Sequence, residues 1–421
     1  MPDITTWEGM PIPLPPEVEP RWFADRLMQL TASAPFTAFR WKRGGLYAAE
    51  VVGCVQLGRI RINILPKLDT PEPGRDKSFL LNLLRSAGYL SYLHQGSAEV
   101  RSETSDPLEA MISEVVKEMA MALREGQPRR YVGVREDSPV LRGQIDFTRL
   151  SARLPGSAVI PIRYSELGVN NELSQVIKGV ATFLHRITRS AVSRQRLGVF
   201  LSSLSFVDNK PVNLDKLDSI VLSRYEIRWS KTLAVGRLLL SGQSPDPTFA
   251  GRNQAFSMLF PMQHLYERAL RKILSTALVG NGVSVKFRSE PLFLFMDAED
   301  KSGIVRLRPD YILSRDAETI AIADAKWKRA SQGRIAHGVK REDFYQMHAY
   351  LARYKVSDAV VLVPKAPWMP EMWTKTYRDA DSDAQVHIIG VDIEGLLSRS
   401  GAIRDASHKM LAEMLGGILH A

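Results

Sequence analysis

The ten residues TIAIADAKWK, from Thr319 to Lys328, decide how the C-terminal part of this chain folds. Successive side chains of a β-strand point to opposite faces, so Asp324 and Lys326 share one face at the end of an apolar strand. We expect both charged groups to lie at an exposed strand end, and Trp327, on the other face, to pack in the core. The tripeptide D-x-K alone is a weak signal, because a strand that runs out into solvent has the same pattern.

Composition indicates a globular protein of two or three domains. The chain has 421 residues, 45% of them hydrophobic and 24% charged, and no apolar run approaches the roughly 20 residues of a membrane-spanning helix. The N-terminus lacks the layout of a secretory signal. One cysteine, Cys54, excludes an internal disulfide and a cysteine-rich zinc site, which favours the cytoplasm. The net charge of +10 favours a polyanionic partner such as nucleic acid.

The main predicted domain boundary lies in SGQSPDPTFAGRNQ, Ser241 to Gln254, where Gly, Ser and Pro cluster. Upstream we predict a β-rich, partner-binding module over residues 1–125, then a strand pair and a mostly helical module over 126–240. Downstream, the pattern of residues 252–421 predicts a helix, three strands, a helix and a strand around a mixed sheet. The predicted fold class is α/β, in the form of an α+β multidomain protein.

Polar residues on several predicted elements converge on the opening motif. The predicted strand IVRLRPDYILS contains Asp310, and a hairpin of this length brings it beside Asp324 in the next strand. Glu267 lies in the amphipathic helix predicted over FPMQHLYERALRKILSTAL, which can face the same sheet. Gln346 and Tyr350 lie four apart, hence on one face, in the helix that follows the motif. Such a site suits metal-assisted phosphodiester hydrolysis, because carboxylates bind Mg²⁺ and a lysine orients water or steadies developing charge.

This constellation resembles the PD-(D/E)xK nuclease superfamily, in particular its branch with a Q-x-x-x-Y helix. The resemblance implies that residues 252–421 have the restriction-endonuclease fold and that the cofactor is Mg²⁺, which Mn²⁺ can replace. It also implies residue roles: Asp310 and Asp324 as metal ligands with the main-chain carbonyl of Ala325, Lys326 as the catalytic lysine, Glu267 as the helical acid that supports the metal, and Gln346 with Tyr350 as the DNA-positioning pair.

A longer similarity narrows the family. The segments VQLGRIRINILPKL, LLNLLRSAGYL, VLRGQIDF, LGVNNELSQVIK and LFPMQHLYERAL, in this order, resemble the McrC family of McrBC-type modification-dependent restriction systems. The resemblance implies that this chain supplies the deoxyribonuclease of a defence system against foreign double-stranded DNA. It further implies a separate AAA+ GTPase of the McrB type, a hexameric ring that recognises modified DNA and is stimulated by the N-terminal part of this chain. No G-x-x-x-x-G-K-[ST] phosphate loop occurs in the sequence, so we expect the nucleotide on the partner.

Two other functions stay open at this point. One is an autonomous PD-(D/E)xK nuclease of DNA repair or of another defence system, which cuts without a partner or a nucleotide. The other is a non-catalytic activator of an AAA+ ring, for which the nuclease site is dispensable. The intact set of Asp310, Asp324 and Lys326 argues against the activator.

Overall fold

The computed structural model describes residues 3–32, 34–89, 106–152, 158–241, 255–287, 292–333 and 335–419. Its strands, numbered along the chain, are β1 Asp3–Trp7, β2 Phe39–Lys42, β3 Gly45–Ala48, β4 Val51–Leu57, β5 Ile60–Leu65, β6 Arg130–Ser138, β7 Gln144–Ile145, β8 Ile160–Gly168, β9 Ala255–Pro261, β10 Ser284–Lys286, β11 Leu292–Phe293, β12 Arg306–Leu307, β13 Tyr311–Arg315, β14 Glu318–Ala325, β15 Asp358–Pro364, β16 Thr374–Arg378 and β17 Gln385–Val391. Its helices are α1 Pro20–Leu30, α2 Pro73–Ser86, α3 Pro107–Arg124, α4 Phe147–Ser151, α5 Glu172–Ile187, α6 Ala191–Ser203, α7 Leu214–Asp218, α8 Ser230–Ser241, α9 Met262–Leu278, α10 Arg341–Tyr354, α11 Ile393–Leu396 and α12 Gly401–Leu419. Among the helices in these described ranges, none has both the length and the apolar composition that crossing a membrane requires.

The sheet that contains the opening motif has six strands in the order β10-β13-β14-β15-β17-β16. Strands β14, β15 and β17 run parallel, whereas β13 is antiparallel to β14, and β10 and β16 pair antiparallel at the two edges. The predicted mixed sheet and the α/β class are therefore confirmed. Because β14 has a neighbour on each side, the opening motif lies in the interior of the sheet.

Residues 321–325 of β14 and 359–363 of β15 are buried, which explains why apolar residues predominate in both segments. A strand covered on both faces has no solvent side with which to alternate. Ile322 and Val361 share a core with Met347 and Tyr350 of α10. Helix α10 therefore covers the face of β14 that also carries Asp324, two residues after Ile322.

One predicted strand is two strands in the structure. IVRLRPDYILS was expected to be continuous and to contain Asp310, but β12 ends at Leu307 and β13 begins at Tyr311. Pro309 explains the break, because proline has no N–H to donate to a strand ladder. The prediction that Asp310 lies within a strand is wrong: it lies immediately before β13.

The chain divides into two compact units built from separate segments. One unit comprises Met1–Val55, Ile60–Pro107 and Leu259–Ala421, and the other comprises Gln56–Arg59 and Leu108–Met258. This grouping differs from the three consecutive modules predicted, because most of the first and nearly all of the third share one unit. The predicted seam is outside the described residues from position 242 to position 254.

A strand that the sequence patterns did not predict explains the grouping. Strand β9 lies beside β4 in a second sheet of order β1-β5-β4-β9. The segment that leads into the C-terminal part is thus a strand of an otherwise N-terminal sheet. The helix predicted in FPMQHLYERAL accordingly begins at Met262 instead of Phe260.

In the other unit, β6, β8 and β7 form an antiparallel sheet. The guanidinium of Arg130, at the start of β6, donates to both carboxylate oxygens of Glu226, at 2.8 and 2.9 Å. This pair lowers the pKa of Glu226 to about 2. The large apolar side chains of the same unit that are more than half exposed include Tyr131, Val140, Leu141 and Phe147.

Candidate active site

The start of β13 and the end of β14 lie at the same end of the six-stranded sheet, because the two strands are antiparallel. Tyr311 is paired with Ala323, so Asp310 lies beside the last residues of β14. The N–H of Ala325 donates to Oδ2 of Asp310 at 2.8 Å. The hairpin thus brings Asp310 together with Asp324 and Ala325.

Asp324 and Lys326 form an ion pair inside the fold. Nζ of Lys326 lies 2.7 Å from Oδ2 of Asp324, and only 15% and 2% of the two side chains are exposed. The expectation of an exposed strand end is therefore wrong. The sheet continues past Ala325, since the N–H of Lys326 donates to the carbonyl of Leu362 at 2.9 Å, and α10 covers the face.

The ammonium of Lys326 has further neighbours on α10. It donates to Oε1 of Gln346 at 2.9 Å, and Nε2 of Gln346 donates to the hydroxyl of Tyr350 at 2.8 Å. Oδ1 of Asp343 lies 3.8 Å from the same ammonium, and Asp343 also pairs with Lys328. Gln346 and Tyr350 are thus brought to the lysine, and Asp343 is a site residue that sequence reasoning missed. The available signal was an acid in the first turn of a predicted helix, where it caps N–H groups.

Glu267 lies on α9 at the border of this group. Its main-chain carbonyl accepts a hydrogen bond from the Tyr311 hydroxyl at 2.6 Å, which holds this turn of α9 against the start of β13. Its carboxylate lies 3.9 Å from the guanidinium of Arg271. The same carboxylate is close enough to Asp310 to contribute to the raised pKa of that residue.

Burial and negative charge set the electrostatics of the site. Burial, together with the Asp324 and Glu267 carboxylates, raises the pKa of Asp310 to about 8. Burial also raises the pKa of Asp324, although Lys326 opposes the shift. For Lys326 burial lowers the pKa, but Asp324 and Asp343 outweigh it and the net shift is upward. A bound cation relieves such an excess of buried carboxylates.

The oxygen atoms at the start of β13 and the end of β14 are suitable ligands for Mg²⁺. Two carboxylates and the carbonyl of Ala325 are the hard oxygen donors that Mg²⁺ prefers. That carbonyl accepts a hydrogen bond from Gln263 at 2.6 Å and keeps a second lone pair. Within the described parts of the chain, no three His, Cys, Asp or Glu side chains form a group placed to hold a metal ion. A metal would therefore be held by Asp310, Asp324 and the main chain, with water or substrate at its other positions, as is usual for Mg²⁺.

Two further residues that sequence reasoning missed hold the end of the motif. Gln263, in the first turn of α9, accepts a hydrogen bond from the N–H of Trp327 at 2.8 Å. Gln263 precedes Glu267 by four residues, which places both on one helix face, so the sequence could have indicated that Gln263 lies near the site. Glu8 accepts from the indole N–H of Trp327 at 2.9 Å, across a separation of 319 residues that no local pattern reveals. The ring of Trp327 packs as predicted, with its centroid 5.3 Å from that of Tyr266.

Glu8→Gln is expected to stabilise the protein above neutral pH. Burial raises the pKa of Glu8 from its usual 4.5 to about 7, so ionised Glu8 favours the unfolded chain and stability falls as pH rises from about 4.5 to 7. Glutamine keeps an acceptor for Trp327 and does not ionise. We expect a gain of about 1–3 kcal/mol at pH 8 and little change at pH 5, measured as thermal unfolding across this range. The exposed Glu17→Gln is the control, and an equal pH slope in all three proteins would contradict the prediction.

Solved McrBC assemblies share this fold. A chain of the refined half-complex from the tetradecameric assembly of Thermococcus gammatolerans McrB AAA+ hexamers with bound McrC superposes with a TM-score of 0.72 at 15% identity, over 99% of this chain and 100% of that chain. A chain of the cryo-EM structure of the Thermococcus gammatolerans McrBC complex gives a TM-score of 0.50 at 17% identity, over 68% and 90% of the two chains. No curated protein sequence matches this chain.

A family model provides the assignment at the level of sequence. The model described as McrBC 5-methylcytosine restriction system component matches residues 46–363, which is more than half of the chain. The chain belongs to this family of restriction system components. The resemblance to the McrC family that the sequence segments carry is confirmed.

Proposed function

We propose that this chain is the nuclease subunit of a McrBC-type restriction complex and hydrolyses phosphodiester bonds of double-stranded DNA. The observation that carries the proposal is the 2.7 Å ion pair of Lys326 and Asp324, which is buried beside Asp310 where β13 begins and β14 ends. This pair occurs in a member of the McrBC family. Stability alone does not explain this group, because burying several charges is unfavourable where an apolar core would serve. Buried charged groups of this kind are candidates for chemistry.

In the proposed site, Asp310, Asp324 and the carbonyl of Ala325 hold Mg²⁺, for which Mn²⁺ can substitute. When bound, the metal supplies Lewis-acid polarisation of the phosphate and a lower pKa for the attacking water. Glu267, on the neighbouring helix α9, adds negative charge that supports cation binding. The pKa of about 8 for Asp310 without a cation is consistent with such a role, because a cation favours the ionised carboxylate.

Lys326 is the proposed catalytic lysine. Its ammonium, kept charged by Asp324 and Asp343, orients the attacking water and stabilises negative charge that develops on the phosphate. Gln346 fixes one N–H of this ammonium and is itself bonded to Tyr350. We propose that this glutamine and tyrosine position the DNA strand against the lysine.

The proposed partner is an AAA+ GTPase ring of the McrB type, which binds the nucleotide and recognises the modified DNA. The related Thermococcus gammatolerans assembly, which contains McrB AAA+ hexamers with bound McrC, supports this partner. Exposed apolar side chains often mark a protein-binding surface, and Tyr131, Val140, Leu141 and Phe147 are exposed side chains of this kind. The net charge of +10 suits a DNA substrate.

Plasmid cleavage tests the proposal. The purified chain is incubated in Mg²⁺ with methylated or unmethylated plasmid, alone or with its McrB-type partner, and with GTP or ATP. We expect cutting only when partner, nucleotide, Mg²⁺ and methylated DNA are all present, and none in EDTA. Absence of cutting under every condition, with a folded and partner-bound chain, would overturn the proposal.

Two outcomes would instead support the other functions. Cutting by the chain without partner or nucleotide would indicate an autonomous nuclease. The triple variant Asp310→Asn, Asp324→Asn, Lys326→Met is expected to stimulate the GTPase of the ring but not to restrict methylated DNA in cells. Full restriction by this variant would indicate a non-catalytic activator.

A further inference from the structure

One side chain bonds the main chain on both sides of Lys326. Nε2 of Gln263 donates to the carbonyl of Ala325 at 2.6 Å, and the N–H of Trp327 donates to Oε1 of Gln263 at 2.8 Å. The orientation of the amide follows from its partners, because a main-chain N–H can only donate and a carbonyl can only accept. Gln263 therefore pairs with residues 325 and 327 as a neighbouring strand would.

This contact fills a gap in the sheet. On the β15 side, the N–H of Lys326 donates to the carbonyl of Leu362 at 2.9 Å. On the β13 side, pairing with β14 starts at Tyr311 and Ala323, so the ladder supplies no partner for the main chain of residues 325 and 327. On this side the Asp310 carboxylate accepts the N–H of Ala325, and Gln263 bonds the carbonyl of Ala325 and the N–H of Trp327. The backbone around Lys326 is thus held from two directions.

We propose that Gln263 is a positioning residue of the nuclease site, which sets the direction of the Ala325 carbonyl and the register of Lys326 against Asp324. The inference rests on the proposed function, since it concerns the same metal and the same lysine. The hydrogen bond from Gln263 occupies one lone pair of the carbonyl and leaves the other for a cation. Gln263 itself does not contact the substrate in this proposal.

The location of Gln263 on α9 supports the assignment. Gln263 and Glu267 lie four residues apart, so the face that holds the carbonyl also carries the acid that acts on Asp310. The Tyr311 hydroxyl ties this same turn of α9 to the start of β13 at 2.6 Å. The first two turns of α9 thus hold the proposed metal donors relative to one another.

Gln263→Met tests the proposal, because methionine has a similar length but can make neither hydrogen bond. Mn²⁺ affinity is measured without DNA by calorimetry, and cleavage by the complex is measured against Mg²⁺ concentration. We expect the Mn²⁺ dissociation constant and the half-saturating Mg²⁺ concentration to rise by about 10- to 100-fold, the usual effect of losing a group that orients a ligand. Gln263→Asn, which keeps the amide one methylene shorter, is expected to fall between Gln263→Met and the parent.

His264→Ala is the matched control, because His264 is exposed in the same helical turn. We expect this variant to bind Mn²⁺ and to cut DNA like the parent. Unchanged Mn²⁺ affinity in folded Gln263→Met and Gln263→Asn proteins would overturn the positioning role while leaving the proposed nuclease intact. A parent chain that neither binds Mn²⁺ nor cuts DNA would overturn the proposed function instead.

Discussion

Lys326→Met is expected to lower the rate of DNA cleavage by about 10²- to 10⁴-fold, the range for loss of a group that transfers a proton or stabilises charge in the transition state. The ammonium lies 2.7 Å from Asp324 and bonds Gln346 at 2.9 Å, so its position is defined from two sides. Methionine keeps an unbranched side chain, one atom shorter than that of lysine, and has neither the charge nor the donors. The measurement is single-turnover cleavage of methylated plasmid by the complete complex with GTP and Mg²⁺.

Lys328→Met is the matched control for this prediction. Lys328 lies two residues further on and pairs with Asp343. We expect the loss of the Lys328 charge to change the cleavage rate by less than about tenfold. Lys328 pairs with Asp343, which lies near Lys326, and it does not pair with the proposed metal ligands. Equal losses in the two variants would show that the segment needs positive charge in general, and would contradict a specific role for Lys326.

Asp310→Asn is expected to reduce cleavage to background and, without metal, to stabilise the fold. The buried carboxylate lies near Asp324 and Glu267, and these surroundings raise its pKa to about 8. Asparagine can still accept the N–H of Ala325 through its oxygen, so the hydrogen bond survives. Unlike Asp310, it carries no charge above about pH 8 and needs no proton uptake on folding between about pH 4 and 8. We expect a gain of about 1–3 kcal/mol in EDTA, since replacing unfavourably buried charge often stabilises a protein.

The opposite sign is expected for a second buried aspartate. Asp343 faces Lys326 and Lys328, and it accepts a hydrogen bond from the N–H of Lys340 at 2.9 Å at the start of α10. Asp343→Asn removes a favourable charge and should lower the unfolding temperature. Thermal unfolding of both variants in EDTA and in Mg²⁺ checks the pair. A lower unfolding temperature for Asp310→Asn in EDTA would contradict the assignment of Asp310 to a site strained by like charges.

Alternation along residues 319–328 was sufficient to predict a strand with Asp324 and Lys326 on one face. The same reasoning predicted a hairpin partner for Asp310 and a helix with Gln346 and Tyr350 on one side. Each of these inferences depends on the periodicity of neighbouring residues, which backbone geometry translates directly into direction. Their proximity, to within hydrogen-bonding distance, agrees with that geometry.

Predictions from local patterns were wrong where a strand ended early and where a strand formed in place of the first residues of a predicted helix. Pro309 ends one strand before Asp310, so the aspartate lies in the connection and not in the ladder. Strand β9 carries apolar residues that also suit the start of a helix, and only its place beside β4 makes it a strand. Short apolar runs are ambiguous between helix and strand until their neighbours are known.

By itself, then, the sequence determined the family, the mixed sheet and the directions in which the site residues point. Only the tertiary structure decided how deeply Asp324 is buried, which second acid lies near the Lys326 ammonium, and which side chains hold the motif in place. Gln263 and Glu8 bond Trp327 from positions 64 and 319 residues away along the chain. The physical reason is that periodicity specifies which face a side chain occupies, whereas the groups that meet it on that face come from distant segments that the folded chain brings together.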